Sequence, residues 1–474
     1  METFPVGENR RYIDDNGDTI DRRLPGNFQV NRQELKAVLA IALLYVIRML
    51  GLFMVLPVLP LLGPEYAGGT PMAIGLALGV YGLSQAILQI PLGLLSDKFG
   101  RKPVIYAGLS VFVIGSLVAA LATSIEVIII GRLLQGCGAI SSSLLALVAD
   151  VTRTENRTRA MAIIGISIGS SFGISLVLGP LISNQFGLPG VFAATAVAGI
   201  IGIVVLARVV PTPAIASKQA NARLALDKVR GVLLDGNLMK TTLGVFMLHY
   251  LLMSAFLVFP QVLQQAGFTA AEHYQIYFWL LIVTFVLMGP FMWLSEKPGF
   301  GRYLMLLMIA AFALSQIMLA NVVGMIFVVA VMALFFMAFN LLEVILPAFV
   351  SRIVHAGERG TAMGVYSSCQ FFGAFMGGLV GGWLLEMWDI STLVYVNAAC
   401  CLVWFVVALK LNGFENFASV TYEIDAGDER PADEVTKALL SLSGVVEVAL
   451  VEEERVAYLK VDSAIWNEDS LCTV

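Results

Sequence analysis

Long apolar runs recur through most of the chain, and they constrain its fold more than any other feature. Each of twelve runs is about as long as the 20 residues that an α-helix needs to cross the hydrocarbon core of a bilayer. Backbone polar groups in lipid find their partners inside a helix, so each run is predicted to be a membrane-spanning helix. The predicted spans are 37–62, 71–95, 103–123, 126–149, 159–184, 188–209, 238–263, 272–295, 302–320, 323–350, 360–386 and 389–411.

The composition agrees with a chain that lies mostly in lipid. Apolar residues make up 58% of the sequence and charged residues 13%, whereas about a quarter of a soluble domain is charged. We therefore predict an all-α membrane protein. The five cysteines and three histidines lack the spacing of metal ligands, and the sequence shows no catalytic triad or phosphate-binding loop. We expect no catalytic site, no metal, no cofactor and no nucleic-acid partner.

Positive charges are sorted between alternate loops. If the N-terminal segment is cytoplasmic, the loops on that side hold many Lys and Arg residues, among them Lys98, Arg153 and Arg230, while the opposite loops hold none. Cytoplasmic loops of membrane proteins carry this excess of positive charge. We therefore predict a multi-pass protein with both termini in the cytoplasm. The same sorting supports the count of twelve spans, because a missed span would invert it.

A long loop divides the spans into two groups of six. Segment 157–161 (RTRAM) opens the fifth predicted span, and segment 359–363 (RGTAM) opens the eleventh, 202 positions later. Gly179 and Gly381 match at the same offset. Two parallel six-helix repeats with a solute site between them are a transporter architecture. The predicted parts are a cytoplasmic tail at 1–36, six-helix bundles at 37–209 and 238–411, and a cytoplasmic linker at 210–237.

The C-terminal segment 415–474 differs in kind from the rest. It carries fourteen acidic and four basic side chains, a balance of −10, whereas the net charge of the whole chain is −5. Its pattern predicts a strand near Val420, a helix from about Pro431 to Gly444, and two strands around an acidic turn. This order indicates a small cytoplasmic α+β domain of incomplete ferredoxin-like type. We expect it to dock on the basic loops or to self-associate through a strand at 456–461, unless it is an inert appendage.

The loop between the second and third predicted spans carries the most specific local pattern. Residues 93–102 read GLLSDKFGRK. Glycine lets two helix ends meet in a tight turn, and an aspartate can accept hydrogen bonds from a helix N-terminus. An arginine can pair with a carboxylate, and the one at the end of the fourth span is the candidate. A role in conformational change is predicted for Gly93, Asp97, Gly100, Arg101, Lys102 and Asp150. The alternative is an ordinary basic loop.

This loop resembles a signature of the major facilitator superfamily, G-x-x-x-D-x-x-G-R-K. Residues 132–138 (RLLQGCG) are similar to the family's R-x-x-Q-G-x-G motif. Gly173, Gly179 and Pro180 are similar to its antiporter motif, whose final glycine pair is absent here. The resemblance covers roughly residues 37–465. It implies a transporter of the bacterial inner (cell) membrane, in the drug:proton antiporter-like branch, with an appended cytoplasmic domain.

Charged side chains inside a span are costly and are candidates for function. Glu343 lies in the middle of the tenth predicted span. Removal from water disfavours the charged form of a carboxyl, which suits a proton carrier. Pairing with an intramembrane cation is the structural alternative. We predict that Glu343, Arg132 and Arg48 take part in proton coupling, although Arg48 could instead extend to the cytoplasmic boundary.

Other polar side chains in the spans are candidates for the solute cavity. Tyr81, Gln85 and Gln89 share one face of the second span, and Asn340 lies in the tenth. His249 in the seventh span could titrate. The plainer interpretation of all five is packing or hydrogen bonding between helices.

These features predict a secondary active transporter that exports small, drug-like solutes in exchange for protons by alternating access. A facilitator or symporter of the same fold, for a small metabolite, is the alternative. A receptor is disfavoured by the repeat of spans. The expected partners are the lipid bilayer, a small-molecule substrate and protons.

Overall fold

Helices account for nearly all of the regular structure, as the apolar runs require. The computed structural model describes residues 12–13, 19–20, 32–153, 156–212, 231, 235–295, 300–321, 324–354, 359–411, 417–424, 430–451, 456–462 and 465–467. The helices are α1 (Arg32–Phe53), α2 (Leu59–Leu62), α3 (Pro71–Phe99), α4 (Arg101–Ala120), α5 (Ile125–Cys137), α6 (Ser141–Val151), α7 (Arg157–Arg208), α8 (Gly236–Phe256), α9 (Phe259–Gln265), α10 (His273–Ser295), α11 (Phe300–Leu319), α12 (Met325–Ile353), α13 (Arg359–Met387), α14 (Ile390–Ala408) and α15 (Ala432–Leu440).

Eleven helical stretches of the described chain are long and apolar enough to cross a bilayer, against twelve predicted spans. The difference lies in α7, whose apolar part, Arg159–Arg208, runs for 50 residues. A helix of that length spans about 75 Å, more than twice the ~30 Å hydrocarbon core. Gly187 interrupts α7 with φ 63° and ψ −167°, a conformation that glycine adopts without steric cost. The interruption falls between the fifth and sixth predicted spans.

Three predicted spans are not single helices, which corrects the sequence analysis. The first breaks after Phe53, the fourth after Cys137 and the seventh after Phe256. Pro57 and Pro260 each lack a backbone N–H and so cannot continue the hydrogen-bond ladder. Gly138 lies in the break of the fourth span. Apolar periodicity passes through such breaks unchanged, so the runs alone did not reveal them.

Short loops reverse the chain between successive spans, so the ends of the spans gather at two opposite faces. We call α1–α7 the N-terminal half and α8–α14 the C-terminal half. One face, the basic end, carries most of the Lys and Arg residues, including Arg101, Arg153 and Arg302. The other, the acidic end, carries Glu65, Glu126, Glu272, Glu386 and Asp389.

The two halves pack tightly at the acidic end. A Cβ added to Gly75 of α3 would lie 2.2 Å from the carbonyl oxygen of Gly378 in α13, and one added to Gly79 would lie 2.6 Å from that of Phe375. Glu386 Oε2 of α13 also accepts a hydrogen bond from the Met72 amide in the first turn of α3, at 2.9 Å. These close backbone approaches join the halves over the acid-end portions of α3 and α13.

Toward the basic end the packing is looser. A Cβ added to Gly360 or Gly364 of α13, Gly165 or Gly169 of α7, or Gly289 of α10 would meet no atom within 4 Å. In the described chain, α13 therefore has close contacts at the acidic end and open space beside its glycines at the basic end.

The C-terminal unit is a three-stranded antiparallel sheet with one helix, α15, against it. Strands β3 (Phe417–Glu423), β4 (Val445–Val451) and β5 (Val456–Asp462) lie in the order β3-β5-β4. Val435 and Leu439 of α15 are buried with apolar residues of β5. The predicted hairpin is present, but β5 is the central strand. Self-association through a free edge at 456–461 was therefore a wrong prediction, because both edges of β5 are already paired.

The N-terminal segment also differs from the prediction of a tail up to residue 36. α1 begins at Arg32, and two short strands, β1 (Tyr12–Ile13) and β2 (Thr19–Ile20), pair antiparallel before it. Glu34 in the first turn of α1 accepts hydrogen bonds from the Arg153 amide at 2.9 Å and from Asn156 Nδ2 at 3.1 Å. The start of α1 is thereby attached to the loop before α7.

Candidate functional site

A charged cluster joins α3, α4 and α6 at the basic end. Gly100, with φ 93°, ends α3 and precedes α4, which brings Arg101 back beside the last turn of α3. Arg101 Nη1 donates to Asp97 Oδ1 and, at 2.9 Å, to Ser96 Oγ, and its Nε donates to Asp150 Oδ2 at 3.0 Å. The expected contact of Arg101 with Asp150 is thus present. In the described chain Asp97 bonds Arg101 rather than a helix N-terminus.

Two further residues of the same loop motif support this turn. A Cβ added to Gly93 would lie 3.0 Å from Ser142 Oγ of α6, so α3 and α6 approach closely. Lys102 Nζ donates to the carbonyl oxygen of Val210 at 2.7 Å and to Thr212 Oγ1 at 3.3 Å. Among the described residues, the contacts of the motif therefore tie together parts of the N-terminal half.

Arg132 is fully buried in α5, and each of its three guanidinium nitrogens has a hydrogen-bond acceptor. Its Nη1 donates to the carbonyl oxygen of Gly51 at 2.7 Å and to Gln135 Oε1 at 3.0 Å, and its Nε donates to the carbonyl oxygen of Ala77 at 3.3 Å. Nη2 reaches the carbonyl oxygen of Leu52 at 3.4 Å. The break after α1 frees the carbonyl groups of Gly51 and Leu52, which would be unsatisfied in lipid without a donor. Arg132 therefore stabilises the broken end of α1.

Arg48 lies in α1, one turn before the Gly51 carbonyl that Arg132 contacts, and it has fewer hydrogen-bond partners than Arg132. Its Nη2 donates to Tyr81 Oη at 2.9 Å and to Gln85 Oε1 at 2.5 Å. Gln85 in turn donates to Ser141 Oγ at 3.2 Å. Arg48 is 1% exposed, so it does not extend to the boundary.

The polar face of α3 is turned toward these arginines. The Tyr81 ring lies 4.9 Å from the Arg132 guanidinium, while its hydroxyl accepts from Arg48. Gln89, one turn beyond Gln85, is buried, and its backbone carbonyl accepts from Ser142 Oγ at 3.0 Å. Tyr81 and Gln85 are therefore brought together with the arginines in the N-terminal half, whereas Gln89 contacts α6 through its backbone.

A separate polar group lies in the C-terminal half, across α8, α12 and α13. Gln370 Nε2 donates to Glu343 Oε1 at 3.2 Å and lies 2.8 Å from His249 Nε2. His249 Nδ1 contacts the carbonyl oxygen of Val245 at 3.2 Å, so Nδ1 carries the proton and Nε2 accepts from the amide. Glu343 Oε2 is 3.7 Å from His249 Nε2. Together these three side chains form one polar group, which we call the Glu343 group.

The Glu343 side chain is 36% exposed, against 6% for His249, although its Oε2 atom is buried without a hydrogen-bond partner in the described chain. Asn340 lies apart from it and donates to Thr284 Oγ1 of α10 at 3.5 Å. In the described chain, neither Arg132 nor Arg48 contacts Glu343. The structural alternative, pairing of the carboxyl with one of these two cations, is therefore not what the described residues show, and the role in proton coupling stays a prediction.

The glycines of the antiporter-like motif lie where α7 contacts the end of α1 and, in the other half, α10. A Cβ added to Gly179 would lie 2.2 Å from the carbonyl oxygen of Met54, next to the break after α1, and one added to Gly173 would lie 3.3 Å from Leu281 of α10. Pro180 follows inside the helix. The motif thus permits α7 to approach α1 closely.

Sequence reasoning missed two residues of these groups. Gln370 lies in the eleventh predicted span, and the rule that intramembrane polar groups are functional candidates could have found it. Ser141 was hidden because its importance depends on the break that precedes α6, and the apolar run gave no sign of that break.

The chain has extensive similarity to known proteins. It matches the family model of the Major Facilitator Superfamily over residues 41–310 and 242–441. It is 40% identical over 443 residues to the inner membrane transport protein YajR of Escherichia coli, which covers 93% of this chain and 97% of that protein. The class H tetracycline resistance protein of Pasteurella multocida is 33% identical over 167 residues, 34% of this chain and 41% of that protein.

The fold has counterparts among solved structures. The nucleoside transporter NupG matches with a TM-score of 0.63 and 16% identity, over 80% of this chain and 99% of NupG. The described helices, the length of the family match and the YajR similarity agree with the motifs read in the sequence. The chain belongs to the Major Facilitator Superfamily of membrane transporters.

Proposed function

We propose that the chain crosses the bacterial inner membrane twelve times, in two six-helix repeats with both termini in the cytoplasm. The break at Gly187 supports a division of α7 into two spans. The matching segments at 157–161 and 359–363 support the repeat, because both begin a helix at the basic end. The lack of Lys and Arg in the acid-end loops supports the orientation.

In this orientation the conformation is closed to the outside and open to the cytoplasm. The close contacts between α3 and α13, such as Gly75 with Gly378, lie at the outer end, and the uncontacted glycines lie at the cytoplasmic end. Transport by alternating access requires a second state in which these packings exchange. The Arg101 cluster at the cytoplasmic end, together with Gly173, Gly179 and Pro180 at the meeting of the halves, would then guide the exchange.

The solute is exported in exchange for protons that bind the Glu343 group. The observation that carries this proposal is the placement of Glu343 within reach of both His249 and Gln370, with its side chain partly exposed at mid-helix. The Gln370 amide donates to both partners, so a proton arriving on His249 requires this amide to move or rotate. Proton binding is thereby coupled to the position of α13, which also forms the outer contact with α3.

The direction of transport rests on the family resemblance. The antiporter-like glycines of α7 and the similarity to proteins named for tetracycline resistance both favour export of a small solute. A facilitator or symporter of the same fold would use the same helices without opposed proton movement.

Solute flux into proteoliposomes, with and without an imposed pH gradient, tests the proposal. The solutes are tetracycline and hippurate, so that a polyketide drug and a small organic anion are both sampled. We expect a gradient to drive accumulation of at least one solute, and Glu343→Gln to abolish that drive while solute still binds. The control is Gln275→Glu at an exposed position of α10, which also exchanges an amide and a carboxyl but does so away from the Glu343 group. Gradient-driven accumulation that persists in Glu343→Gln would place the proton site elsewhere.

A further inference from the structure

Arg48 is a buried cation whose hydrogen-bonding capacity is only partly used. A guanidinium has five N–H donors. Both donors of Nη2 are used, by Tyr81 and Gln85. In the described chain, Nε and Nη1 have no partner although both atoms are buried. One N–H on Nε and two on Nη1 are therefore left without an acceptor.

This arrangement is unfavourable for a purely structural arginine. Removing a charge from water costs several kcal/mol unless a counter-charge and hydrogen bonds offset it. No described carboxylate contacts Arg48, since the acidic residues of the N-terminal half lie at helix ends. Arg132 of α5, in the same half, shows the contrast, because each of its three guanidinium nitrogens has a carbonyl acceptor. The unused donors of Arg48 point to an acceptor that the protein itself does not supply.

A second feature beside Arg48 also favours negative charge. The eleven-residue helix α6 begins at Ser141, and Ile140 before it offers no side-chain cap. The first N–H groups of such a helix have no intrahelical acceptor and carry the positive end of its dipole. Gln85 links the two features, since it accepts from Arg48 and donates to Ser141 Oγ. Ser143 Oγ, in the same first turn, is buried without a partner in the described chain.

We propose that Arg48 and the first turn of α6 bind a carboxylate, and that the transported solute is a small organic anion. A carboxylate has two oxygens with about four lone-pair positions. The free donors of Arg48, the Ser143 hydroxyl and the first amides of α6 can fill them. Helix N-termini at breaks in transporter helices receive anionic groups in this way. This assignment rests on the proposed transport function and names its substrate class.

The apolar body of the solute has a wall to pack on. Phe53 ends α1 five residues after Arg48, and its ring lies 4.9 Å from Phe172 of α7. Phe172 lies 5.5 Å from Phe339 of α12, which in turn lies 5.8 Å from His249. This row of rings runs from the end of α1 to the Glu343 group. An aromatic carboxylate therefore matches the charge of Arg48 and the aromatic character of these side chains.

Binding to the purified full-length protein in detergent, with no gradient present, tests the assignment. The probes are hippurate, hippuramide (the same molecule with an uncharged amide in place of the carboxylate) and chloride, each followed by calorimetry. We expect saturable binding of hippurate, and binding of hippuramide that is weaker by about 10- to 100-fold, as loss of a charged hydrogen bond implies. Arg48→Gln should abolish the preference for hippurate, and Arg48→Lys should retain part of it.

The control is Arg208→Gln, which removes one positive charge from an exposed helix end and should leave hippurate binding unchanged. Arg48→Gln should melt at the same or a higher temperature than the parent without ligand, because it removes a buried, incompletely paired charge. A large loss of unliganded stability would mean that Arg48 is structural and would overturn the assignment. So would equal binding of hippurate and hippuramide, or binding of chloride without hippurate.

This measurement is independent of proton coupling. If hippurate binds as described but no pH gradient drives its flux, the anion site stands and the proposed antiport fails. If tetracycline is driven by the gradient through Glu343 while hippurate does not bind, the antiport stands and the anion site fails.

Discussion

Replacing Gly378 with alanine should open the acidic end. Its Cβ would lie 2.4 Å from the carbonyl oxygen of Gly75, 3.0 Å from the amide nitrogen of Gly79 and 3.1 Å from its Cα. All three are backbone atoms, so no side chain can move aside and α3 must separate from α13. Overpacking of this kind costs about 1–3 kcal/mol. With tenfold per 1.4 kcal/mol, the population should shift by roughly 5- to 150-fold toward the state in which the acidic end is open.

Distances between spin labels at Glu65 and Gln265 report this shift. Both residues are exposed at the acidic end, one in each half, and the labels would be attached in a background without the native cysteines. Gly378→Ala should increase the fraction of long distances. Gly364→Ala, in the same helix but with no atom within 4 Å of its added Cβ, is the matched control and should not lengthen them. An unchanged distance distribution in a folded Gly378→Ala protein would refute the idea that this packing closes the acidic end.

Three further predictions concern the basic end, the break in α1 and the C-terminal unit. Arg101→Ala should leave the protein inserted but slow solute flux in proteoliposomes. Its free energy of unfolding should change by less than about 1 kcal/mol because the ion pairs are partly exposed, and flux at the wild-type rate would show that the cluster has no conformational role. Arg132→Met should lower the melting temperature strongly, because it leaves the carbonyl groups of Gly51 and Leu52 without donors at about 1–3 kcal/mol each. Arg132→Lys should recover part of the loss, and a melting temperature equal to the parent's would contradict the stabilising role. Deletion of 415–474 should leave the membrane helices inserted, since α15 packs on its own sheet, and should alter the rate or salt dependence of flux. Loss of insertion would show that the unit is part of the membrane fold, and unchanged flux at every salt concentration would show that it is inert.

The sequence predicted the membrane helices because their signal is a length of apolar chain, which lipid requires whatever the tertiary contacts are. The breaks in the first, fourth and seventh spans were not predicted. Lipid tolerates a local loss of helix only where a neighbour satisfies the freed groups, and at Gly51 that neighbour is Arg132, 81 residues later in the chain. Such a pairing depends on tertiary structure and leaves no mark in a local pattern.

The polar residues of the site were largely found, but their grouping was not. Arg48, Arg132 and Glu343 were predicted to take part together in proton coupling, because charged side chains inside a span are costly and are candidates for function. The structure instead separates two arginines with Tyr81 and Gln85 in one half from Glu343 with His249 in the other. The apolar runs do not indicate which helices of one half contact which helices of the other. In the C-terminal sheet, the order of strands likewise depended on contacts between β3 and β5 that sequence order does not specify.

The movement of protons during solute exchange tests the central claim most directly. Proteoliposomes would carry an entrapped pH dye, equal pH on both sides and ionophores that clamp the membrane potential, and hippurate or tetracycline would be added outside. Coupled antiport through the Glu343 group predicts that the lumen becomes more alkaline as solute enters, and that Glu343→Gln abolishes this change. Solute entry that acidifies the lumen, or that leaves its pH unchanged in the parent protein, would contradict proton antiport.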